Sequence, residues 1–340
     1  MHDIAKGWRL FARPDARPVL FIHAGLHKTG TTALQKSLAQ NRESLGAHGI
    51  LYPAAGCPGD APAQHNIAWQ LARDWRFHST YGTLDDAAEE IAAHGGNAII
   101  SSEDFESILR RPDLLDRLAH HPRLRGHRVV LVIYLREQCS YVQSLFLQLT
   151  RNGLAQDAAS LVETVCETGA LKLRDWEFQF DYARLGAKLA RWKNGTLVLR
   201  NYHQLQGGST VVDFLSLVAP DLRLPTLEEG ERINAARDLA TAMQEFYEAR
   251  IGRQLTDWQL AEVLSAAVRA KEGGFGLCLA TRQRLAARFA LSNRMLERIG
   301  GKLMKFPAQR AAGNTEVPLE HLFSFEMQCR LTGSQPPPAF

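Results

Sequence analysis

The sequence predicts an α/β protein, a parallel sheet flanked by helices on both faces with a helical C-terminal portion. Three observations predict it. Short, almost purely apolar runs such as VLFIH and RVVLVIYL recur through roughly the first 205 residues. Segments with helical spacing of apolar residues separate them. Beyond about residue 205 the strand-like runs fade, and 226–300 reads as helical and rich in Arg and Ala. Strands that are apolar on both faces must be covered on both faces, and intervening helices do this.

The elements follow in order. Val19–His23 is a strand, and 31–45 a helix carrying Leu34, Leu38 and Leu45 near helical spacing. A short strand at 49–52 is ended by Pro53, and 53–64 is a Gly-, Pro- and Ala-rich loop. Helices are expected at 64–75 and 84–93, and a third strand at 97–102 (NAIISS). The fourth strand, Arg128–Leu135, has no polar interior residue and is expected to be fully buried. A helix over 137–150 places Val142, Leu145, Phe146 and Leu149 on one face and Ser140, Ser144 and Gln148 on a polar stripe. A fifth strand is expected at 196–202. The organisation is therefore a leader (1–17), an α/β core (18–225), a helical portion of the same domain (226–325) and a tail (326–340) that ends in a disordered TGSQPPPAF.

Composition narrows the function. The net charge of +4 is too mild for a protein that coats a polyanion, so nucleic acid is not an expected partner. The five cysteines form no C-x-x-C pair, which favours reduced thiols and a cytoplasmic location. The longest apolar run has strand length, not bilayer length, and the N-terminus has no apolar signal segment.

The chemistry is expected at HAGLHKTGTTALQ, where the first strand turns into a helix. Backbone N–H groups at a helix start attract anions. Gly30 allows close backbone approach, Thr31 and Thr32 offer hydroxyls, and Lys28 adds a full charge. Thr31 is also a possible helix cap. The arrangement is P-loop-like, but its lysine precedes Gly30, whereas a nucleotide P-loop has lysine after glycine. The buried fourth strand ends in YLRE, so Arg136 stands where an Mg²⁺-binding carboxylate is required. An arginine there repels a metal and attracts a second anion. The expected site holds two anionic groups with no metal.

These two segments resemble those of sulfotransferases that use 3′-phosphoadenosine 5′-phosphosulfate (PAPS). HAGLHKTGTTALQ resembles the 5′-phosphosulfate loop, and YLREQCSYVQS the 3′-phosphate segment. ILYP, SSEDF and LSNRML look most like bacterial members, which are often associated with carbohydrate sulfation. The resemblance implies that Lys28 contacts the oxygen leaving with the 5′-phosphate. It implies that the amides of Thr29, Gly30, Thr31 and Thr32 and the hydroxyls of Thr31 and Thr32 hold that phosphate, and that Arg136 and Ser144 hold the 3′-phosphate. The implied reaction moves a sulfuryl group from PAPS to an acceptor hydroxyl, on a saccharide or glycolipid, and releases PAP.

Such a reaction needs a proton acceptor, and three residues compete. Glu103 follows the third strand, where small-molecule sulfotransferases carry a histidine. Its residue type matches the glutamate of many glycan sulfotransferases, which usually stands after the second strand. His65 falls near that place, just after the Pro/Gly loop. Asp104 is the third, with helix capping as its alternative role. The basic run at 110–128 reads as a solvated helix and loop, and His23 and His27 read as no zinc site. The aromatic stretch at 171–182 either lines an acceptor cleft or packs internally. Two other functions compete, a nucleotide kinase or NTPase and a non-catalytic protein that binds PAP or a phosphorylated ligand.

Overall fold

The computed structural model describes residues 17–173, 176–189, 192–222, 235–300, 304–307 and 316–334. The leader, except Arg17, and the last six residues of the tail lie outside these.

In chain order the elements begin with β1 (Val19–His23), α1 (Thr31–Gln40), α2 (Arg42–Ala47), β2 (Ile50–Leu51), α3 (His65–Ala72), α4 (Leu84–His94) and β3 (Asn97–Ser101). A 3-10 segment, Glu103–Ile108, follows β3, and then come α5 (Pro112–Ala119), β4 (Arg128–Leu135), α6 (Gln138–Arg151) and α7 (Ala158–Thr168). Next are β5 (Ala170–Leu173), β6 (Trp176–Gln179), α8 (Tyr182–Leu189), β7 (Thr196–Asn201) and α9 (Thr210–Val218). The last are α10 (Ala235–Ile251), α11 (Asp257–Gly273), β8 (Phe275–Gly276), α12 (Leu279–Gly300), β9 (Val317–Pro318), α13 (Leu319–Leu322) and α14 (Phe325–Thr332).

The predicted α/β fold is present. Five parallel strands form one sheet in the order β2-β3-β1-β4-β7. β1, β3 and β4 are buried almost throughout, as their apolar runs require. Val19, Phe21, Val130, Val132 and Tyr134 share one buried cluster with Leu34 and Leu38 of α1 and Phe214 and Leu215 of α9. The polar group in that layer is satisfied: Tyr134 donates its hydroxyl to Asp213 Oδ2 at 2.8 Å, and Arg200 forks onto the same carboxylate. One register detail shapes the site. β1 ends with His23 opposite Val132, whereas β4 runs on to Leu135, paired with Asn201. The overhang carries Arg136 past the end of β1 and alongside the loop that follows it.

The chain divides into two compact units. The first comprises Met1–Glu137, Lys172–Leu227 and Leu291–Pro307 and holds the sheet; the second comprises Gln138–Leu171, Glu228–Ala290 and Ala308–Phe340. Within the second unit α10 packs on α6 and α11. Phe146 and Phe246 each meet Phe323 edge-on, at 4.8 and 5.2 Å between centroids.

Several boundaries differ from expectation for local reasons. The second strand pairs only over Ile50–Leu51, because Pro53 cannot donate to a ladder. The helix expected at 64–75 stops at Ala72, where Arg73 turns left-handed (φ 56°) and its N–H returns to Gln70 O. The β8–β9 pairing is two residues long, too short for a periodic signal. Residues 326–332, read as tail, belong to helix α14, whose Ser324 cap accepts from Met327 N at 3.1 Å. No helix among the described residues is long and apolar enough to cross a membrane. None of the five cysteines forms a disulfide.

Candidate functional site

The loop between β1 and α1 is built from the inside. Thr29 is buried; its hydroxyl donates to Leu26 O at 2.6 Å, and its own carbonyl accepts from Thr210 Oγ1 at 3.0 Å. That hydroxyl is spent on the loop itself, so only the Thr29 amide can serve a ligand. Gly30, with φ 80°, is the N-cap of α1, and a Cβ there would stand 2.5 Å from Thr210 Oγ1. Glycine is required at this position by both conformation and space. Thr31 is the first helical residue, so the expected Thr31 cap is replaced by a glycine that supplies no side-chain cap. The helix start is thereby left to its backbone donors. Thr31 is buried and Thr32 exposed.

Lys28 also adopts a left-handed backbone, with φ 64°. Outside glycine this conformation costs about 1–2 kcal/mol. Among the described residues only Lys28 and Arg73 lack the glycine that would relieve it. Arg136 Nη1 donates to the Lys28 carbonyl at 2.6 Å, and its guanidinium lies over the Tyr202 ring, 5.1 Å from the centroid. The two expected cationic residues are therefore neighbours. Burial and the Arg136 charge lower the His203 pKa, and the neutral ring accepts from Glu137 N at 3.2 Å. Ser144 stands half-buried on α6 in the second unit, on the polar stripe expected for it.

A second group of side chains gathers at the carboxyl end of β3. Ser102 caps the 3-10 segment by accepting from Asp104 N at 3.1 Å, so Asp104 is not the cap. Instead Asp104 Oδ2 accepts from Trp69 Nε1 at 2.8 Å and stands 3.2 Å from His65 Nδ1, which also contacts Ser102 Oγ at 2.9 Å. Burial opposes ionisation of Asp104, but the bonds and charges of His65, His27 and Arg76 prevail and hold its pKa below 3.8. An ionised carboxylate only accepts, so beside Asp104 the neutral His65 ring carries its proton on Nδ1 and its lone pair on Nε2. Burial disfavours the His65 cation as well, yet the Asp104 bond and the Glu103 and Asp104 charges raise its pKa above 6.5. The ring stacks on Trp69 at 5.9 Å. Glu103 is half-buried and accepts from Gln35 Nε2 at 2.6 Å.

His27 and Glu106 complete this group. His27 donates its backbone N–H to Glu106 Oε2 at 3.1 Å, and its Nδ1 lies 2.9 Å from the same oxygen. Burial works against the His27 cation, but Glu106, Glu103 and Asp104 together raise its pKa above 6.5. The Arg76 guanidinium lies over Trp69 and Trp176, 4.8 and 5.6 Å from their centroids. Phe178, Phe180 and Tyr182 are buried, which favours packing for most of 171–182, while half-buried Trp176 borders the group. His23 is a core residue: it contacts Ser101 Oγ at 2.8 Å, and burial pushes its pKa down to about 3. No cluster of three or more metal-ligating side chains occurs among the described residues.

Sequence reasoning missed Glu106, Gln35, Trp69 and Arg76. Only Glu106 left a trace: it follows Glu103 by three residues, the repeat that superposes side chains on a 3-10 segment.

No family model matches the chain, and no curated protein matches it. A solved chain from the PezAT chromosomal toxin–antitoxin system of Streptococcus pneumoniae is 15% identical with a TM-score of 0.30, covering 78% of this chain and 93% of that one. A likeness at that level carries no argument about fold or function, and the α/β assignment rests on the sheet itself.

Proposed function

We propose that the protein is a PAPS-dependent sulfotransferase acting on a hydroxyl, with a saccharide as the leading acceptor class. The observation that carries this reading is the Arg136 guanidinium bonded to the Lys28 main-chain carbonyl beside the uncapped start of α1. Two cationic side chains and a row of helix-start amides suit a ligand with separate anionic ends. The donor set fits PAPS, which supplies the sulfuryl group when bound. The Ser144 assignment rests on the resemblance of its segment.

In this reading the amides of Thr29 to Thr32 and the Thr31 and Thr32 hydroxyls bind the 5′-phosphate, and Arg136 binds the 3′-phosphate. Lys28 stabilises negative charge on the leaving oxygen. His65 takes the acceptor proton at Nε2, because Asp104 fixes the tautomer that frees this atom. Glu103 favours the imidazolium that forms. The acceptor oxygen–sulfur bond forms as the bond from sulfur to the 5′-phosphate oxygen breaks.

Calorimetry with PAP, AMP and ATP side by side tests the proposal. PAP is expected to bind at least tenfold more tightly than AMP, a difference of about 1.4 kcal/mol. Tighter binding of Mg-ATP, with hydrolysis, would favour the kinase or NTPase reading. PAP binding without sulfate transfer to any acceptor would favour a binding protein.

A further inference from the structure

Glu106 is nearly inaccessible, with its side chain 1% exposed, yet it carries a carboxylate. Replacing a whole buried ion pair by apolar residues usually costs a fold little, so a retained carboxylate–histidine pair is weak evidence of a purely stabilising role. The bonds of Glu106 suggest another. Oε2 accepts from the His27 backbone at 3.1 Å and lies 2.9 Å from the His27 ring. Oε1 accepts from Gln179 N at 2.7 Å, which ties the carboxylate to β6. The His27 ring is also wedged edge-on against Phe178, at 4.9 Å. The residue after His27 is Lys28, in its left-handed conformation, and the Lys28 carbonyl is held from the other side by Arg136 at 2.6 Å. The strained residue is thus gripped on its amino side by a buried carboxylate acting through His27, and on its carbonyl side by a guanidinium.

We propose that Glu106 is a positioning residue for Lys28, holding His27 so that the left-handed turn presents the Lys28 amine to the leaving oxygen. The proposal rests on the sulfotransferase reading above. It assigns Glu106 no contact with the reacting atoms. Glutamine keeps the size of this side chain but puts an NH₂ where one oxygen accepted, so it cannot serve the His27 and Gln179 donors together.

The test is a double-mutant cycle on the full chain, with Glu106→Gln and Lys28→Ala singly and combined. The readout is PAP release from PAPS with water as acceptor, which needs no identified sugar. Glu106→Gln is expected to slow release about tenfold or more at saturating PAPS, and to add almost nothing in the Lys28→Ala background. Losses that multiply in the double variant would overturn the proposal, because a merely structural carboxylate acts independently of the lysine. If Glu106→Gln does not fold, His27→Ala removes the ring's bond and its Phe178 contact but keeps the backbone bond to Glu106, and must show the same non-additivity with a smaller loss. A separate arm reads the loop without turnover: in ¹⁵N-labelled protein Glu106→Gln should move the amide signals of residues 28–30. Unmoved signals there overturn the positioning role. Absence of PAP binding by the wild type would instead remove the sulfotransferase reading.

Discussion

The β1–α1 loop and the cluster at the end of β3 are built in opposite ways. The loop offers helix-start backbone amides and the cationic residues Lys28 and Arg136, with left-handed backbone at Lys28 and Gly30. The cluster gathers two histidines whose pKa values neighbouring carboxylates raise, and His27, His65 and Glu103 are each held by a partner far away in sequence. A fixed-charge site holds an anion independently of pH, whereas a titrating site is tuned by its neighbours. Under the proposed function the loop would bind the donor and the cluster would handle the acceptor proton.

Removing one group from each region and following PAP release from PAPS against pH separates the two. His65→Ala should lower the rate by about 10²- to 10⁴-fold and flatten the pH profile. Lys28→Ala should lower it by about 10²- to 10³-fold and leave the profile's shape intact. A flat profile for the lysine variant, or an unchanged one for the histidine variant, would erase the distinction. Next in size is Arg136→Ala, expected to weaken PAP binding about 10- to 100-fold by calorimetry, from loss of a charged hydrogen bond to phosphate. Because Arg136 also braces the Lys28 carbonyl, a smaller loss of turnover should accompany it.

The smallest effect lies in stability. Asp104→Asn should cost about 1–3 kcal/mol in chemical denaturation by weakening a buried charge-assisted bond. The pH window follows from the shifts. His65 is raised, so its share is fully present below 6.5 and is lost as pH rises through its folded value. Asp104 is lowered, so its share is present above 3.8 and is lost as pH falls through its folded value. The destabilisation should therefore be greatest between 3.8 and 6.5 and shrink on either side.

The loop was legible because strand end, lysine, glycine and helix start follow one another within His23–Thr32, although the side chains that brace it, Thr210, Arg136 and Glu106, come from elsewhere in the chain. The buried runs of β1, β3 and β4 were legible for the same reason, since a strand covered on both faces has no polar alternation to hide. The cluster was not legible. Glu103 and His65 were both singled out, but nothing local said that Asp104 would hold His65 or that Gln35 would hold Glu103. His27 was weighed only as a metal ligand. Its carboxylate partner lies 79 positions away.

Side-chain polarity and backbone sterics over a few residues were enough to mark the five strands of the main sheet, the glycine-dependent turn and a cation beyond the ends of β1 and β4. Only the tertiary structure decided that β4 outruns β1 to bring Arg136 onto the Lys28 carbonyl, and that Asp104 and Glu106 each acquire a histidine. Those outcomes depend on sheet register and on donors from other strands and helices, and the energy of a buried charge is set by whatever surrounds it in space.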